Sequence, residues 1–476
     1  MRALPLNSTL IVFAILLVWS LARAARFGAG GAQTTWELLG RILSQRAVLA
    51  FLLLGACVNV AFSALAGYIN PRDYVQDVVA AHQFLKHQTM YPRDLPEMGI
   101  VELSAPITGR EELQRLPVIR HDLSTLTEPP ATANAHPPFL GIALAGPVFL
   151  FGFRGSFAFV LLLSAALLYV SVVAILRELF PVLPLVALCA VMALVFGWYP
   201  VGTTFRSGQP SIVLFALIAA GWLMLHRNKP WIAGGAIGLA ACLQAFPALL
   251  ILYFAIRSRR AFVSAVGTIT LLTLAAAAVT VQSTFRQWLD TADRIAQGFV
   301  PRAGNLSAAG LITSLSGGIG WGRNVHVVAP AMVLIVAAAL AIFLWPWNRS
   351  NLRPERLDVE YSVFVAAMLL ASPISWGRYF PIMLLPLGVL IRNWRQKRPR
   401  LAVPGLFAAL VFMSLSEATF VGLYSWLTRN LGFFAAWLMA AMPSLSILAI
   451  LLWLGFSAHL AADVELADAE TAQQLP

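Results

Sequence analysis

The stretch from Ile69 to Pro92, INPRDYVQDVVAAHQFLKHQTMYP, follows an apolar run, Ala47 to Tyr68, that is long enough to cross a bilayer as a helix. Asp73 stands where this run ends and Asp77 follows one helical turn later, so a helix would carry both carboxylates on one face. A carboxylate at the mouth of a membrane bundle is suited to act as a general base. The alternative is that Asp73 only caps a short helix on the membrane surface, and this segment by itself favours the cap. The rest of the chain favours the base.

The composition identifies a membrane protein. Of the 476 residues, 59% are hydrophobic and 11% are charged, whereas soluble proteins carry about 25% charged residues. Apolar runs of roughly 20 residues recur along the whole chain, which predicts an all-α polytopic membrane protein. The net charge of +12 does not indicate nucleic-acid binding, because Lys and Arg lie in short clusters between apolar runs, as in cytoplasmic loops. The three cysteines, Cys57, Cys189 and Cys242, lie within apolar runs and show no metal-ligand spacing.

The positions of the basic clusters predict the topology. Residues 10–21 resemble the core of a signal peptide, but the arginines follow this core, which favours an uncleaved first helix with an external N-terminus. The second helix, near residues 47–68, then delivers Asp73 to the external face. Continuing in this way, we expect about thirteen membrane segments and an acidic cytoplasmic C-terminal tail.

Three stretches depart from simple crossings. Residues 69–138 form a long polar external loop, which we expect to fold over the outer mouth of the bundle, since loops of this length are uncommon unless functional. Residues 139–152 are too short and too rich in Gly and Pro to span well, which indicates a re-entrant or interfacial helix. Residues 231–256 have basic clusters at both ends, which predicts two short helices separated by a turn at residues 244–247.

Six motifs then follow one another in a fixed order. They are Asp73-Tyr74 with Ala80-Ala81 and Tyr91-Pro92; His136-Pro137-Pro138-Phe139; Ser207-Gly208-Gln209; Ala233-Gly234-Gly235 through Gln244-Ala245-Phe246-Pro247; Gly304-Asn305-Leu306-Ser307 through Leu311; and Ser372-Pro373-Ile374-Ser375-Trp376. Together they resemble glycosyltransferase family 87 over roughly residues 47–400. In this chain Gln244 stands where the family usually has lysine, and Arg378-Tyr379 follow Trp376 where the family often has histidine.

The resemblance implies a bundle of the GT-C type with active-site loops at its external mouth. Residues 1–46 would form an N-terminal helix and cytoplasmic linker, residues 47–400 the catalytic core, and residues 401–476 the C-terminal helices and tail. The implied activity is transfer of mannose or a similar sugar from a polyprenyl-phosphate donor to an envelope lipid or glycan. The implied location is the periplasmic or extracellular face of a bacterial inner (plasma) membrane, with membrane lipids as neighbours, no nucleic-acid partner, and no metal or other cofactor.

The residues suit this chemistry. An inverting transfer needs a base for the acceptor hydroxyl and cationic groups for the departing phosphate. By the resemblance Asp73 is the base, with Asp77 as a possible second acid. The candidates for binding donor phosphate or substrate are Arg206, Gln209, Arg378, Tyr379, His136 and Asn305; Arg302 is a further cation.

Other interpretations of these residues stay open. Arg206 could contact lipid headgroups, and Arg378 could be an interfacial anchor beside Trp376. His136 could be a structural hydrogen-bond partner, Asn305 a helix cap, and Asp77 a solvated neighbour of Asp73. At the level of function the alternatives are a lipid or sugar transporter or flippase, which would place ionisable residues in the middle of spans, and an inactive subunit of an envelope-assembly complex.

Overall fold

The computed structural model describes residues 8–27, 40–43, 45–69, 72–91, 134, 136–300, 305–315, 325–344, 354–397, 402–415 and 417–473. The secondary-structure elements in these ranges are all helices, which confirms the all-α fold class. Most of the expected external loop, residues 92–133, lies outside the described residues. Arg302 and the basic residues 398–400 also lie outside them.

Eighteen α-helices are labelled here within the described residues. In the first half they are α1 (Ser8–Phe27), α2 (Arg46–Ile69), α3 (Arg72–Leu85), α4 (Pro138–Leu179), α5 (Leu185–Gly197), α6 (Tyr199–Ser207), α7 (Ser211–His226), α8 (Pro230–Leu243) and α9 (Leu249–Arg257). In the second half they are α10 (Arg259–Val279), α11 (Thr284–Phe299), α12 (Ala308–Leu315), α13 (Val325–Leu344), α14 (Pro354–Ala371), α15 (Leu384–Lys397), α16 (Ala402–Met413), α17 (Glu417–Asn430) and α18 (Phe433–Gln473). Short 3₁₀ helices cover Phe246–Ala248 and Gly377–Met383.

The helices are those of a polytopic membrane protein. Among the described residues four helices are long and apolar enough to cross a membrane: α2, α4, α10 and the part of α18 from Phe434 to Gly455. Helices α5 and α6 meet at a bend of 53° and reach the same length as a pair. Shorter apolar helices, among them α7, α8 and α9, complete the bundle. The count of about thirteen membrane segments stays a prediction.

Two interruptions fall where the sequence predicted them. Gly152, with φ 65° and ψ −170°, breaks α4 at the end of the stretch 139–152. The turn after α8 begins at Gln244, whose extended backbone ends the helix before Pro247. The apolar run at residues 403–424 predicts a single helix, but a third interruption falls near residue 414, between α16 and α17. There Ser414 donates to the Leu410 carbonyl and accepts from the Trp198 indole, which ties the end of α16 to a distant part of the chain.

Helix α14 lies at the centre of the bundle. All its residues from Asp358 onward are buried, and it packs against α9, α13, α15 and α18. Two of its buried residues, Asp358 and Glu360, are acidic and fully inaccessible. By sequence the charges cluster at the external ends of the predicted spans, which favours an enzyme over a transporter. These two buried carboxylates were not predicted.

Both buried carboxylates have cationic or polar partners from other helices. Asp358 accepts from the Trp222 indole at 2.7 Å, lies 2.5 Å from Nε2 of His226, and accepts from Nη1 of Arg392 at 2.5 Å. Because α7 runs from the Gln209 turn to His226, this cluster lies at the end of the bundle opposite that turn. We call this end the far end.

Glu360 is held in the same region by two arginines. Arg257 donates from Nε and Nη2 to its two oxygens, each at 2.8 Å, and Arg356 donates from Nε at 2.9 Å. Charge-assisted bonds of this bidentate type are among the strongest side-chain hydrogen bonds. Together the Asp358 and Glu360 groups join α7, α9, α14 and α15 at the far end.

We predict that Asp358→Asn strongly destabilises the protein, because it leaves Arg392 largely buried without its countercharge. Breaking a buried ion pair costs about 3–5 kcal/mol, and thermal unfolding of the purified protein in one detergent would measure the loss. The matched control is Glu355→Gln, since Glu355 lies on the same helix but is exposed. Equal unfolding midpoints for the two variants would contradict a stabilising role for the cluster.

Candidate active site

Four segments meet at the other end of the bundle, which we call the mouth. They are α3, the residues from Asn134 to Pro138, the turn Ser207–Gln209, and the interrupted segment between α14 and α15. Asp73 and Asp77 come from the first segment, and His136 and Arg378 come from the second and the fourth. We call these four residues the acid–arginine site.

The turn at Gly208 brings α3 close to the bundle. Gly208 has φ 68°, a left-handed conformation that favours glycine. A Cβ atom at this position would lie 2.6 Å from Cβ of Tyr74, which is closer than such atoms approach. Tyr74 is buried against Phe157 and Phe153 of α4. The Ser-Gly-Gln motif therefore lets α3 pack closely, and this packing places Asp73 at the mouth.

Asp73 is paired with Arg378. Nη1 of Arg378 donates to Oδ2 of Asp73, and both side chains are partly accessible, at 27% for Arg378 and 18% for Asp73. The guanidinium also lies over the Trp376 ring, with its carbon 5.8 Å from the ring centroid. The Thr204 hydroxyl donates to the Arg378 carbonyl at 2.8 Å and holds the backbone in place. The structure thus brings together one predicted acid and one predicted phosphate ligand.

Asp77 and His136 form a second, buried pair. Nδ1 of His136 lies 2.7 Å from Oδ1 of Asp77, and the two side chains are only 4% and 2% accessible. The alternative interpretation of Asp77 as a solvated neighbour of Asp73 is therefore wrong, and Asp77 is the more buried of the two. The reason is tertiary: α3 packs against α4, and the residues leading into α4 cover Asp77.

The segment that covers Asp77 is itself well ordered by hydrogen bonds. Tyr91 donates from its hydroxyl to the His136 carbonyl at 2.7 Å, and the His136 amide donates to the Asn134 side chain at 2.8 Å. Asn134 in turn donates to the Gln76 carbonyl on α3 at 3.3 Å. His136 therefore has the structural contacts that its alternative interpretation proposed.

The net effect of burial and pairing is to raise the pKa of both Asp77 and His136. Burial raises the pKa of the Asp77 carboxyl, although the nearby His136 opposes this. For His136 burial by itself lowers the pKa, but the attraction of Asp77 and the hydrogen bond to it prevail and raise the pKa above its ordinary value. Each group therefore holds its proton more tightly in the folded protein than in the unfolded chain.

Asn305 ties the interrupted segment after α14 to the residues around the end of α11 and the start of α12. Its Oδ1 accepts from the amides of Ser375 at 2.9 Å and Ser307 at 3.2 Å. Its Nδ2 donates to the carbonyls of Pro373 at 2.9 Å and Val300 at 3.1 Å. Both acceptor positions and both donor hydrogens of the amide are used. Ser307, not Asn305, caps α12, since its hydroxyl accepts from the Gly310 amide at 2.9 Å. Asn305 instead fixes the backbone that leads to Arg378, and its role as a substrate ligand stays a prediction.

The remaining candidates lie in different surroundings. Gln209 is buried beside the turn, and its Oε1 has no hydrogen-bond partner among the described residues. Tyr379 is buried and accepts from Nε2 of Gln244 at 2.7 Å, which links the residue at the predicted turn to the site. Arg206 is exposed at the end of α6. The partnership of Gln244 with Tyr379 was not predicted, although both positions depart from the family's pattern.

The described residues contain no group of three or more His, Cys, Asp or Glu side chains that could hold a metal ion. The two carboxylates of the acid–arginine site instead face a guanidinium and an imidazole. Metal independence stays a prediction.

Fold and site together define a polytopic helical membrane protein with an acid–arginine pair at one mouth of the bundle. The family model of glycosyltransferase family 87 matches residues 134–373, half of the chain, and the chain belongs to this family. His136, Arg206, Gln209 and Asn305 lie within the matched residues. Asp73 precedes them, and Arg378 follows them.

Two curated proteins are similar to part of the chain. Both are named polyprenol-phosphate-mannose-dependent alpha-(1-2)-phosphatidylinositol mannoside mannosyltransferase, one from Mycolicibacterium smegmatis and one from Mycobacterium tuberculosis. Each is 28% identical over 221 residues, which cover 44% and 45% of this chain and 48% of each relative. The chain thus spans about half the length of the curated relatives it matches.

The shifts at Asp77 and His136 predict a pH dependence of stability. Because the folded state binds more protons at both positions, the free energy of unfolding falls as pH rises. The loss of stability starts above the ordinary Asp pKa of 3.8 and continues through the raised pKa of His136, which lies above 6.5. We expect the thermal unfolding midpoint to fall as pH is raised above 6.5, and to fall less steeply in His136→Gln. A midpoint that rises over this range, or an unchanged slope in the variant, would contradict the assignment.

Proposed function

We propose that this protein transfers mannose or a similar sugar from a polyprenyl-phosphate donor to an envelope lipid or glycan. The family and the names of the two relatives support this donor and sugar. The relatives' names also point to a mannosylated phosphatidylinositol as a possible class of acceptor. The observation that carries the proposal is the meeting of Asp73 and Arg378 at the mouth of the bundle.

The geometry supplies the two groups that such a transfer requires. Asp73 takes the proton of the acceptor hydroxyl, whose oxygen then bonds to the anomeric carbon of the donor sugar. The bond between that carbon and the phosphate oxygen breaks, and the phosphate leaves with the bonding electrons. Arg378 binds the departing phosphate, for which the planar guanidinium is well suited. In this scheme Gln209, whose buried Oε1 has no hydrogen-bond partner among the described residues, accepts from a sugar hydroxyl.

The reaction needs no metal in this scheme. The donor phosphate is already an activated leaving group, and a guanidinium can stabilise the charge that develops on it. We therefore propose metal-independent transfer by the residues of the acid–arginine site.

The proposed site faces the periplasm or the extracellular space of a bacterial inner membrane. The basic residues that follow α7 and α9, and those in the last turns of α15, support this orientation, because the positive-inside rule assigns them to the cytoplasm. These three helices end toward the far end, so a cytoplasmic far end would put the acid–arginine site on the opposite side of the membrane.

A transporter is the second candidate, since Asp358 and Glu360 are buried ionisable residues of the kind that transporters use. Both carboxylates are hydrogen-bonded to cationic side chains. Such bonding favours a fixed structural cluster over a group that binds and releases an ion. An inactive assembly subunit would keep this cluster and would show no transfer.

Asp73→Asn tests the proposed base. We expect a loss of about a hundredfold to ten-thousandfold in turnover, because the amide cannot accept the hydroxyl proton, while the protein still folds and binds donor. The measurement is sugar transfer by purified protein with a panel of polyprenyl-phosphate sugars, run with and without EDTA. Asp77→Asn should lose much less turnover, since the buried Asp77 is already paired with His136. An inactive Asp77→Asn variant beside an active Asp73→Asn variant would reverse the assignment.

Loss of transfer in EDTA with recovery in magnesium would refute metal independence.

Thiol labelling in intact cells tests the orientation. In a background with Ala at the three native cysteines, we expect Gln88→Cys to react with an impermeant thiol reagent and Lys229→Cys to be protected. Both positions are exposed in the structure, so protection reports the membrane barrier and not burial. The reverse labelling pattern would place the site in the cytoplasm.

A further inference from the structure

Arg378 bonds to one group in the structure and to a different group in the proposed reaction. In the proposed function its guanidinium binds the donor phosphate, yet in the structure it is bonded to the proposed base, Asp73. The Asp73 oxygen that accepts from Arg378 is already engaged in a hydrogen bond and is not open to an acceptor hydroxyl. In this arrangement the proposed base and the proposed phosphate ligand occupy each other.

Two hydrogen bonds hold the backbone around Arg378. The carbonyl accepts from Thr204 at 2.8 Å, and the next amide, of Tyr379, donates to the Trp376 carbonyl at 2.9 Å. The guanidinium, by contrast, is partly accessible and lies over the face of the Trp376 ring. A change of side-chain rotamer can move the guanidinium to a new partner without moving the backbone.

The two ion pairs of the site differ in how readily they can open. The Asp77–His136 pair is almost completely buried, so opening it would leave two buried polar groups without the hydrogen bond between them. The Asp73–Arg378 pair is partly accessible, and pairs of this kind contribute little to stability. A phosphate that enters the mouth offers Arg378 a bidentate acceptor, so it competes for Arg378 with an easily replaced partner.

We propose that Arg378 exchanges Asp73 for the donor phosphate when the donor binds, so that Asp73 becomes an available base only in the donor-loaded protein. This inference rests on the proposed function and adds an order of events to it. The donor binds first, and the acceptor hydroxyl meets an available carboxylate only afterwards. One side chain thus couples occupancy of the donor position to activation of the base.

The exchange predicts a specific coupling in binding. The probe is a short-chain polyprenyl phosphate without sugar, titrated calorimetrically into the full-length protein in nanodiscs. Asp73→Asn should tighten binding of this probe by about two- to fivefold, because Arg378 is no longer held by a carboxylate. In the Arg378→Gln background, the same Asp73→Asn change should leave the affinity unchanged.

A matched control separates this competition from general charge repulsion. Arg294 lies on α11 and bonds within its own helix, to the Asp290 carbonyl and the Thr291 hydroxyl. In the Arg294→Gln background, Asp73→Asn should still tighten binding of the probe. Tightening that persists in the Arg378→Gln background would show simple repulsion by Asp73 and would overturn the exchange. An unchanged affinity in Asp73→Asn alone would overturn it as well.

Structures of the unmodified protein provide a test that needs no variant. We expect electron cryomicroscopy with the bound probe to show the Arg378 guanidinium on the phosphate and apart from Asp73. A probe-bound structure that keeps the Asp73–Arg378 bond would overturn the exchange and leave the proposed transferase function intact. Failure of the unmodified protein to bind the probe would overturn the proposed function together with the exchange.

Discussion

The path of the chain at the mouth of the bundle is fixed mainly around one side-chain amide, that of Asn305. A chain that leaves its helix inside a membrane protein must find other partners for its backbone groups, because lipid offers none. After α14 the chain does leave its helix, and Asn305 supplies an acceptor for the Ser375 amide and a donor for the Pro373 carbonyl. The interruption is thereby stabilised, and Arg378 follows it at a position that faces α3. Without Asn305 the Ser375 amide would lose its acceptor, and the Pro373 carbonyl would keep the Ser307 hydroxyl, which donates to it at 2.9 Å.

The charged residues at the two ends of the bundle differ in how accessible they are. At the far end Asp358 and Glu360 are inaccessible and bonded to cationic side chains, which makes that end rigid. At the mouth, Asp73 and Arg378 remain partly accessible. A rigid far end beside an accessible ion pair fits the proposed exchange, because the exchange moves one side chain and leaves the packing of the bundle as it is.

The sequence predicted the helices and their breaks well, and the surroundings of individual side chains less well. Apolar runs predict helices because hydrophobicity is a local property, and Pro247 and Gly152 mark interruptions for local steric reasons. The burial of Asp77 could not be predicted, since it depends on residues 134–136, almost sixty positions away. Asp358 and Glu360 were missed because they follow Arg356 and resembled the charged end of a loop. The spacing of Arg356 and Glu360, four residues apart, was the one available signal of an ion pair on a helix.

The far-end cluster has a consequence for how the protein is made. Glu360 lies 103 residues after Arg257, and Asp358 lies 136 residues after Trp222 and 34 before Arg392. During synthesis, Arg257 therefore leaves the ribosome well before its carboxylate exists, and Asp358 precedes one of its partners. Until α14 and α15 are both inserted, the nascent chain has charges at the membrane that lack their final partners. Assembly of the bundle can thus be completed only late in translation, and the insertion machinery must accommodate an incompletely neutralised intermediate up to that point.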